Sequence, residues 1–212
     1  MSIQNGHLHK AKKAQNDEFY TQYKDIEKEM TRIKDKLKDK VIYCNCDTIH
    51  SNFTKYFINN FNNLQLKHLY ITGYNPKGCG QKIEYDGQTF KTTDMWSNGS
   101  FDSDESIALL SFSDIVITNP PFSLARHFFH IMTKFNMDYH IICTQNAVTY
   151  KDVFPLIKEN KLVKWTRKDS IESYILPPTA IEWHKIDSNG NKVVHLGDTC
   201  WFSTIVEWNN PP

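Results

Sequence analysis

The chain reads Asp114-Ile115-Val116-Ile117-Thr118-Asn119-Pro120-Pro121-Phe122-Ser123 at the point that decides its fold. The apolar run that ends at Thr118 has the continuous character of a strand buried on both faces. Two prolines then stiffen the chain and remove two backbone donors. Apolar residues at helical spacing follow from Ser123 to Phe135. The stretch therefore predicts a strand, a rigid turn and a helix.

The same alternation extends to both sides of this stretch. Three more apolar runs are predicted strands: Val41–Cys44, His68–Thr72 and Tyr139–Cys143. Further helical patterns run from Asn52 to Phe61 and from Tyr150 to Asn160. An amphipathic helix is predicted from Asp25 to Lys40, and its charged run Lys34–Lys40 is interpreted as a solvated face. Strand–helix alternation with continuous apolar strands indicates an α/β fold, with a mostly parallel sheet covered by helices on both faces.

Turn signals place two hairpins in this framework. The stretch near residues 75–92 carries Asp86-Gly87 and predicts a hairpin inserted between sheet strands. Near residues 181–207, Ser188-Asn189-Gly190 separates two short apolar runs and predicts a C-terminal hairpin, with Cys200 to Glu207 as a further strand. Residues 1–16 are polar and basic and are expected to form a flexible arm. Residues 17–212 are expected to form a single catalytic domain.

Composition narrows the class of protein. The formal net charge is only +1, so any nucleic-acid surface must be a local patch. Five scattered cysteines argue against a disulfide framework, and the pair Cys44 and Cys46 has no second pair at zinc-ligand spacing, so no metal site is expected. There is no signal-peptide pattern and no apolar run of membrane-spanning length, so the expected location is the cytoplasm and no membrane partner is expected.

The tetrapeptide Asn119-Pro120-Pro121-Phe122 falls where chemistry is expected, because ligands of such sheets bind at the carboxyl ends of the strands. The amino group of adenine is a poor nucleophile, since its lone pair is delocalised into the ring. Acceptors from the Asn119 amide and the Pro120 carbonyl can bind both amino hydrogens, while Phe122 stacks on a base flipped out of the duplex. Methyl transfer would then depend on positioning and electrostatics. A Pro-Pro turn that simply ends a strand is the plain alternative.

Residues 114–123 resemble the catalytic motif of amino-methylating DNA methyltransferases. More narrowly, the chain is similar to the EcoRI-type adenine-specific methyltransferase family, a Rossmann-like S-adenosylmethionine-dependent fold, from about residue 12 to about residue 205. Other segments match the family in the same order along the chain: Asn16–Gln22, Ser51–Phe53, Lys55–Phe57, Asn146–Lys151, Phe154–Lys158 and Trp201–Phe202.

The resemblance implies a role for each matching residue. The target adenine would be bound by the tetrapeptide, with Asn146 and Tyr150 shaping the base pocket. S-adenosyl-L-methionine would be the cofactor, bound by residues from three segments: Phe19, Tyr20, Thr21, Asp47 and Phe101. Double-stranded DNA would be the partner, and a phage or restriction-modification setting, with a restriction endonuclease counterpart, is expected. Basic residues that could contact the phosphates are Lys10, Lys12, Lys13, Arg126, Arg167 and Lys168.

Each role has a structural alternative. Phe19 and Tyr20 could be core aromatics, Asp47 an ordinary helix N-terminal residue, Asn146 a helix cap and Tyr150 a surface aromatic.

The sequence also departs from the family pattern. The segment Cys44–His50 has no glycine, and Gly99-Ser100-Phe101 has serine where the family has an acidic residue, with Asp102 one place later. The family continues well beyond the position of Trp201. Two alternatives therefore stay open: a methyltransferase that acts on RNA or on a protein glutamine amide, and a non-catalytic descendant that binds DNA or a partner.

Overall fold

The computed structural model describes most of the chain, and the predicted arm at residues 1–16 lies outside the described residues. The described residues are 19–165, 171, 173–178, 180 and 183–207.

Six α-helices and twelve strands are found in this part of the chain. The helices α1 to α6 are, in chain order, Tyr23–Arg32, Lys34–Leu37, Asn52–Asn60, Asp104–Leu110, Ala125–Lys134 and Phe154–Lys158. The strands β1 to β6 are Tyr20–Thr21, Val41–Cys44, His68–Gly73, Gln81–Tyr85, Phe90–Asp94 and Ile115–Thr118. The strands β7 to β12 are Asp138–Thr144, Val163–Trp165, Tyr174–Ile175, Lys185–Ile186, Lys192–Val194 and Thr199–Ser203. Two 3₁₀-helices cover Phe122–Leu124 and Gln145–Thr149.

The larger sheet has eight strands in the order β5-β4-β3-β2-β6-β7-β12-β8. The four central strands, β3, β2, β6 and β7, run parallel to one another. The outer strands are antiparallel to their neighbours on both sides. The α/β prediction and all four predicted strands are thus confirmed, and the parallel part of the sheet is its centre.

Alternating side chains of the central strands divide the interior into two cores. In β6, Ile115 and Ile117 belong to one core and Val116 to the other. The first core takes residues from α1 and α3 and is called here the α1/α3 face. The second takes residues from α4 and α5 and is called the α4/α5 face. Every residue of β2 and β6 is buried, because helices cover the sheet on both faces.

Two helices differ from their predicted bounds. The predicted helix from Asp25 to Lys40 is interrupted at Ile33, and nothing in the local sequence explains the break. In the second half of this helix Leu37 is buried while its charged neighbours are exposed, as expected for a solvated face. The predicted helix from Tyr150 to Asn160 begins only at Phe154, with Pro155 in its first turn, where the missing N–H of proline costs no helical hydrogen bond.

A second, smaller sheet joins the two ends of the described chain. Its strand order is β1-β9-β11-β10, and all its pairings are antiparallel. Strands β10 and β11 form the predicted C-terminal hairpin. The hairpin predicted near residues 75–92 lies at the edge of the larger sheet as β4 and β5. The pairing of β1 with β9, which brings Thr21 opposite Tyr174, was not predicted from the sequence.

Candidate active site

The carboxyl ends of β2 and β6 lie side by side, and Asp47 and Thr118 connect them. The Thr118 hydroxyl donates to the Asp47 carboxylate at 2.8 Å, and both side chains are buried. The Asp47 backbone N–H donates to the carbonyl of Thr72 in β3 at 3.1 Å. The loop after β2 is therefore attached to both neighbouring strands, at the edge where the tetrapeptide begins.

Burial sets the acidity of Asp47. Loss of solvent raises the pKa of its carboxyl group to about 6, although hydrogen bonds from Thr118 and Ser51 act in the opposite direction. Above that pH, Asp47 is an anion at the carboxyl end of the sheet. An anion in this position favours a cationic ligand.

The amide group of Asn119 is held in one orientation. Its Nδ2 donates to the carbonyl of Phe19 at 2.6 Å and lies 3.3 Å from the hydroxyl oxygen of Thr21. The opposite orientation would bring two acceptor oxygens together at the Phe19 carbonyl. Its Oδ1 atom is buried and has no hydrogen-bond partner among the described residues. A buried acceptor without a donor costs about 1–3 kcal/mol, so a donor from a bound ligand would be favourable at this atom.

The two prolines direct the chain out of β6. Pro121 has an extended backbone, and its carbonyl accepts from the N–H of Leu124 at 2.9 Å, which closes the first 3₁₀ turn. The carbonyl of Pro120, the other predicted acceptor for the substrate, precedes this turn. Phe122 opens the 3₁₀-helix and is half-buried.

Three aromatic rings form a cluster behind the tetrapeptide, called here the Phe19 cluster: Phe19, Phe122 and Tyr174. The rings of Phe19 and Phe122 stack with 5.5 Å between centroids and 20° between planes. Tyr174 presents an edge contact to each, at 5.9 Å from Phe19 and 6.4 Å from Phe122. Sequence reasoning missed Tyr174, because it lies in a two-residue strand with no periodic pattern around it.

A cleft of 390 Å³ opens beside Asp47, within the size range of small-molecule sites. It is lined by residues from the ends of β2, β3, β4 and β5: Asp47, Thr48, Ile49, Gly73, Tyr74, Asn75, Cys79, Gln81, Ile83 and Asp94. A Cβ atom on Gly73 would lie 2.9 Å from the carbonyl oxygen of Asp47, so glycine permits close packing here. The segment Cys44–His50 has no glycine of its own. Its close contact with β3 is made possible by Gly73 instead.

The structure brings some of the predicted site residues together and separates others. Five lie around one junction at the carboxyl end of β6: Phe19, Thr21, Asp47, Asn119 and Phe122. Tyr20 is 41% exposed, although its neighbours in the chain point inward.

Pro120 and Pro121 adjoin this junction in the chain, whereas Phe101 and Tyr150 pack against the α4/α5 face. The buried ring of Phe101 contacts Phe128 at 5.2 Å. Tyr150 contacts Phe129 at 6.1 Å and lies under the Arg126 guanidinium at 4.8 Å. Asn146 is exposed in the second 3₁₀-helix, where its carbonyl accepts from Thr149. Their predicted roles stay predictions.

Asp102, the acidic residue one place beyond Phe101, accepts from the Ser100 hydroxyl. Its other oxygen lies 3.0 Å from Nε2 of His127 on α5.

In the described part of the chain, no cluster of three or more His, Cys, Asp or Glu side chains is arranged to hold a metal ion. None of the described helices is long and apolar enough to cross a membrane.

Comparison with known proteins identifies the family of the chain. The family described as "Adenine-specific methyltransferase EcoRI" matches residues 7–95 and 81–209. The chain belongs to this family. It is 40% identical to the Type II methyltransferase M.EcoRI of Escherichia coli, an alignment that covers 93% of this chain and 68% of that protein.

Two mycoplasma relatives match as well. M.MpnI of Mycoplasma pneumoniae is 41% identical, over 74% of this chain and 49% of that protein. M.MgeORF184P of Mycoplasma genitalium is 40% identical, over 94% of this chain and 65% of that protein. The chain thus spans between about half and two thirds of the length of these relatives. The predicted family is therefore confirmed. The prediction that the chain is a DNA methyltransferase, which needs a methyl donor, is confirmed with it.

Proposed function

We propose that the chain transfers a methyl group from S-adenosyl-L-methionine to the exocyclic amino nitrogen of an adenine flipped out of double-stranded DNA. The observation that carries this proposal is the buried, unpartnered Oδ1 of Asn119 at the carboxyl end of β6. The bond from Nδ2 to the Phe19 carbonyl fixes the orientation of the amide and leaves Oδ1 to accept from the substrate amine.

The residues act on the base by orienting it. Asn119 Oδ1 and the Pro120 carbonyl accept the two amino hydrogens, which concentrates the lone pair on the nitrogen. Phe122 stacks on the base and fixes its plane. As the methyl carbon leaves sulfur and bonds to nitrogen, positive charge develops on the nitrogen. The two fixed acceptors stabilise this charge without reorganisation until one amino proton is lost to water. S-adenosyl-L-methionine, when bound, supplies an electrophilic methyl group on a sulfonium.

The cleft beside Asp47 fits the cofactor. Its volume suits a small molecule, and it opens beside the loop that adjoins Asn119 through Thr118. Asp47 would attract a ligand that carries a sulfonium and an ammonium group, since its carboxylate is ionised above about pH 6. Thr21 and Phe19 lie on the tetrapeptide side of this loop, where the methyl group must meet the base.

The partner is proposed to be duplex DNA, with a restriction endonuclease counterpart in a restriction-modification setting. The methylated position can be found directly. DNA from cells that lack other adenine methylation and express the chain is sequenced by a method that detects methyladenine. Methyladenine at one short sequence is the expected result, and DNA without it contradicts the proposal.

Labelled cofactor separates the competing substrates. Purified chain is incubated with radiolabelled S-adenosyl-L-methionine and duplex DNA, RNA or protein in separate reactions. Label is expected in DNA alone. Label in RNA or protein, or a thermal midpoint that S-adenosylhomocysteine leaves unchanged, would count against the proposed reaction.

A further inference from the structure

Tyr174 lies behind the tetrapeptide, on a strand far away in the sequence. Its side chain is fully buried, and its ring contacts both Phe19 and Phe122. We propose that Tyr174 is a positioning residue for base capture, which sets the orientation of the Phe122 ring and the place of Phe19. This inference rests on the methyl transfer proposed above.

The geometry of the three rings explains how Tyr174 acts on Phe122. Phe122 follows two prolines in a short 3₁₀-helix and is only half-buried, so backbone structure alone does not fix its ring. The stacked ring of Phe19 covers one face of Phe122. Tyr174 meets Phe122 at 87°, and this edge contact resists a tilt of the ring. A base that stacks on Phe122 must use the face that Phe19 leaves open.

Tyr174 acts on Asn119 through Phe19. The edge contact at 67° and 5.9 Å holds the Phe19 ring in place. The carbonyl of the same residue accepts from Asn119 Nδ2 and so orients Oδ1. A shift of Phe19 would therefore turn the amide at the reacting centre as well as release Phe122.

The hydroxyl group anchors Tyr174 to the larger sheet. It donates to the Thr199 hydroxyl at 2.9 Å, and Thr199 in turn donates to the Leu196 carbonyl at 3.0 Å. Thr199 is the first residue of β12 and lies opposite Thr144 of β7. The backbone of Tyr174 pairs with Thr21 of β1, whose hydroxyl lies beside Asn119. Tyr174 is thus attached to the larger sheet through its hydroxyl, and its ring contacts Phe122 of the tetrapeptide.

Four variants test the proposal. Tyr174→Leu removes the ring, and Tyr174→Met replaces it with a longer flexible apolar chain. Tyr174→Phe keeps the ring and loses only the hydroxyl. Tyr139→Leu is the matched control, since Tyr139 is equally buried but belongs to the α4/α5 face, against Phe129. Each is studied as the full chain, at a temperature at which it is folded.

The probe is a duplex that carries the methylated site found by sequencing, with 2-aminopurine at the target position for the flipping measurement. Single-turnover methylation by Tyr174→Leu and Tyr174→Met should fall by about 10- to 100-fold, as expected for a reacting group displaced by about an ångström. The 2-aminopurine fluorescence gained on binding should fall with it, while the thermal shift with S-adenosylhomocysteine is kept. Tyr174→Phe keeps both ring contacts and loses only the anchoring bond, so both readings should fall far less than in Tyr174→Leu. Tyr139→Leu should lower the thermal midpoint only.

The outcomes separate this inference from the proposed function. If wild-type chain methylates no DNA, the proposed function itself fails. If wild-type chain is active and Tyr174→Leu flips and methylates the base at wild-type rates, the positioning role is wrong. Equal losses in Tyr139→Leu would overturn it too. Unfolding of both Tyr174→Leu and Tyr174→Met would also overturn it, because the ring would then serve the fold rather than base capture.

Discussion

At the scale of single residues, the proposed function depends on the two polar atoms of the Asn119 amide. Nδ2 is used by Phe19, and Oδ1 has no protein partner within the described residues. Buried polar groups are nearly always paired, so a donor from the bound base would complete the pairing of this atom.

The first prediction concerns this atom. Asn119→Ala should reduce single-turnover methylation of duplex DNA by about 10²–10³-fold, the usual effect of removing one oriented hydrogen-bonding group at a reacting centre. The thermal shift with S-adenosylhomocysteine should stay near that of the wild type. Near-normal turnover would show that the tetrapeptide is not the catalytic centre. Parallel losses of stability and activity would favour the purely structural turn.

The second prediction concerns the pH dependence of stability. The pKa of Asp47 is raised to about 6 in the folded chain, against an ordinary value of 3.8, so the native state holds this proton more tightly than the unfolded state. The contribution of Asp47 is therefore most favourable at low pH and is lost as the pH rises from about 4 through 6. At about 1.4 kcal/mol per pH unit, the loss is up to about 3 kcal/mol.

Asp47→Asn provides the comparison, because asparagine is neutral at every pH and still offers Thr118 an acceptor. Urea unfolding is measured for both chains at several values between pH 4 and pH 7. The free energy of unfolding of the wild type, minus that of Asp47→Asn, should fall across this range. Parallel profiles for the two chains would mean that Asp47 has an ordinary pKa.

At the scale of elements, α3 begins immediately after the Asp47 loop and is capped by it. Ser51 is the N-cap residue, and its hydroxyl accepts from the N–H of Thr54 at 3.1 Å. The same residue lowers the pKa of Asp47 through a hydrogen bond. The N-cap of α3 therefore also favours the ionised form of Asp47 beside the cleft, against the larger effect of burial.

The third prediction follows from this double role. Ser51→Ala should destabilise the chain by about 1 kcal/mol, the usual cost of losing a helix cap. It should also raise the pKa of Asp47, so the fall in stability with pH should extend to higher pH. Ser103→Ala is the matched control, since Ser103 caps α4 by accepting from Ser106. It should lower the unfolding midpoint in urea without moving the pH profile.

At the scale of the whole molecule, a net charge of +1 leaves DNA binding to local cations. Of the six predicted phosphate contacts, Arg126 lies among the described residues, and the other five, Lys10, Lys12, Lys13, Arg167 and Lys168, lie outside them. Arg126 lies in the first turn of α5, four residues beyond Phe122, and its guanidinium group is exposed above the Tyr150 ring. The ring face orients the cation without neutralising it.

The fourth prediction is a salt dependence. Binding of duplex DNA should weaken as salt rises, because Lys and Arg contacts to phosphates release counterions. Arg126→Gln should reduce the slope of log K against log salt by about 0.9, the value for one phosphate contact. Lys36→Gln removes the same charge from α2. Because α2 precedes β2, Lys36 lies near the amino ends of the parallel strands, and its loss should leave the slope unchanged. Equal slopes for all three chains would show that Arg126 makes no contact with the DNA phosphates.

The sequence by itself determined the centre of the sheet, the order of its elements and the family. These depend on local patterns: an apolar run such as Val41–Cys44 between helical patterns favours a buried strand, and proline is excluded from the interior of a central strand. The tetrapeptide could be found for the same reason, because its position after a strand is local information.

Only the tertiary structure decided which way the Asn119 amide faces, that Thr118 connects Asp47 to the tetrapeptide, and that Tyr174 lies behind Phe122. Each of these depends on contacts between residues that are tens of positions apart, and no periodicity along the chain encodes them. The small sheet that pairs Thr21 with Tyr174 has two-residue strands, too short to leave a pattern in the sequence. Its strands β1 and β9 pair because the folded chain brings residues 20–21 beside residues 174–175, which is a property of the folded molecule alone.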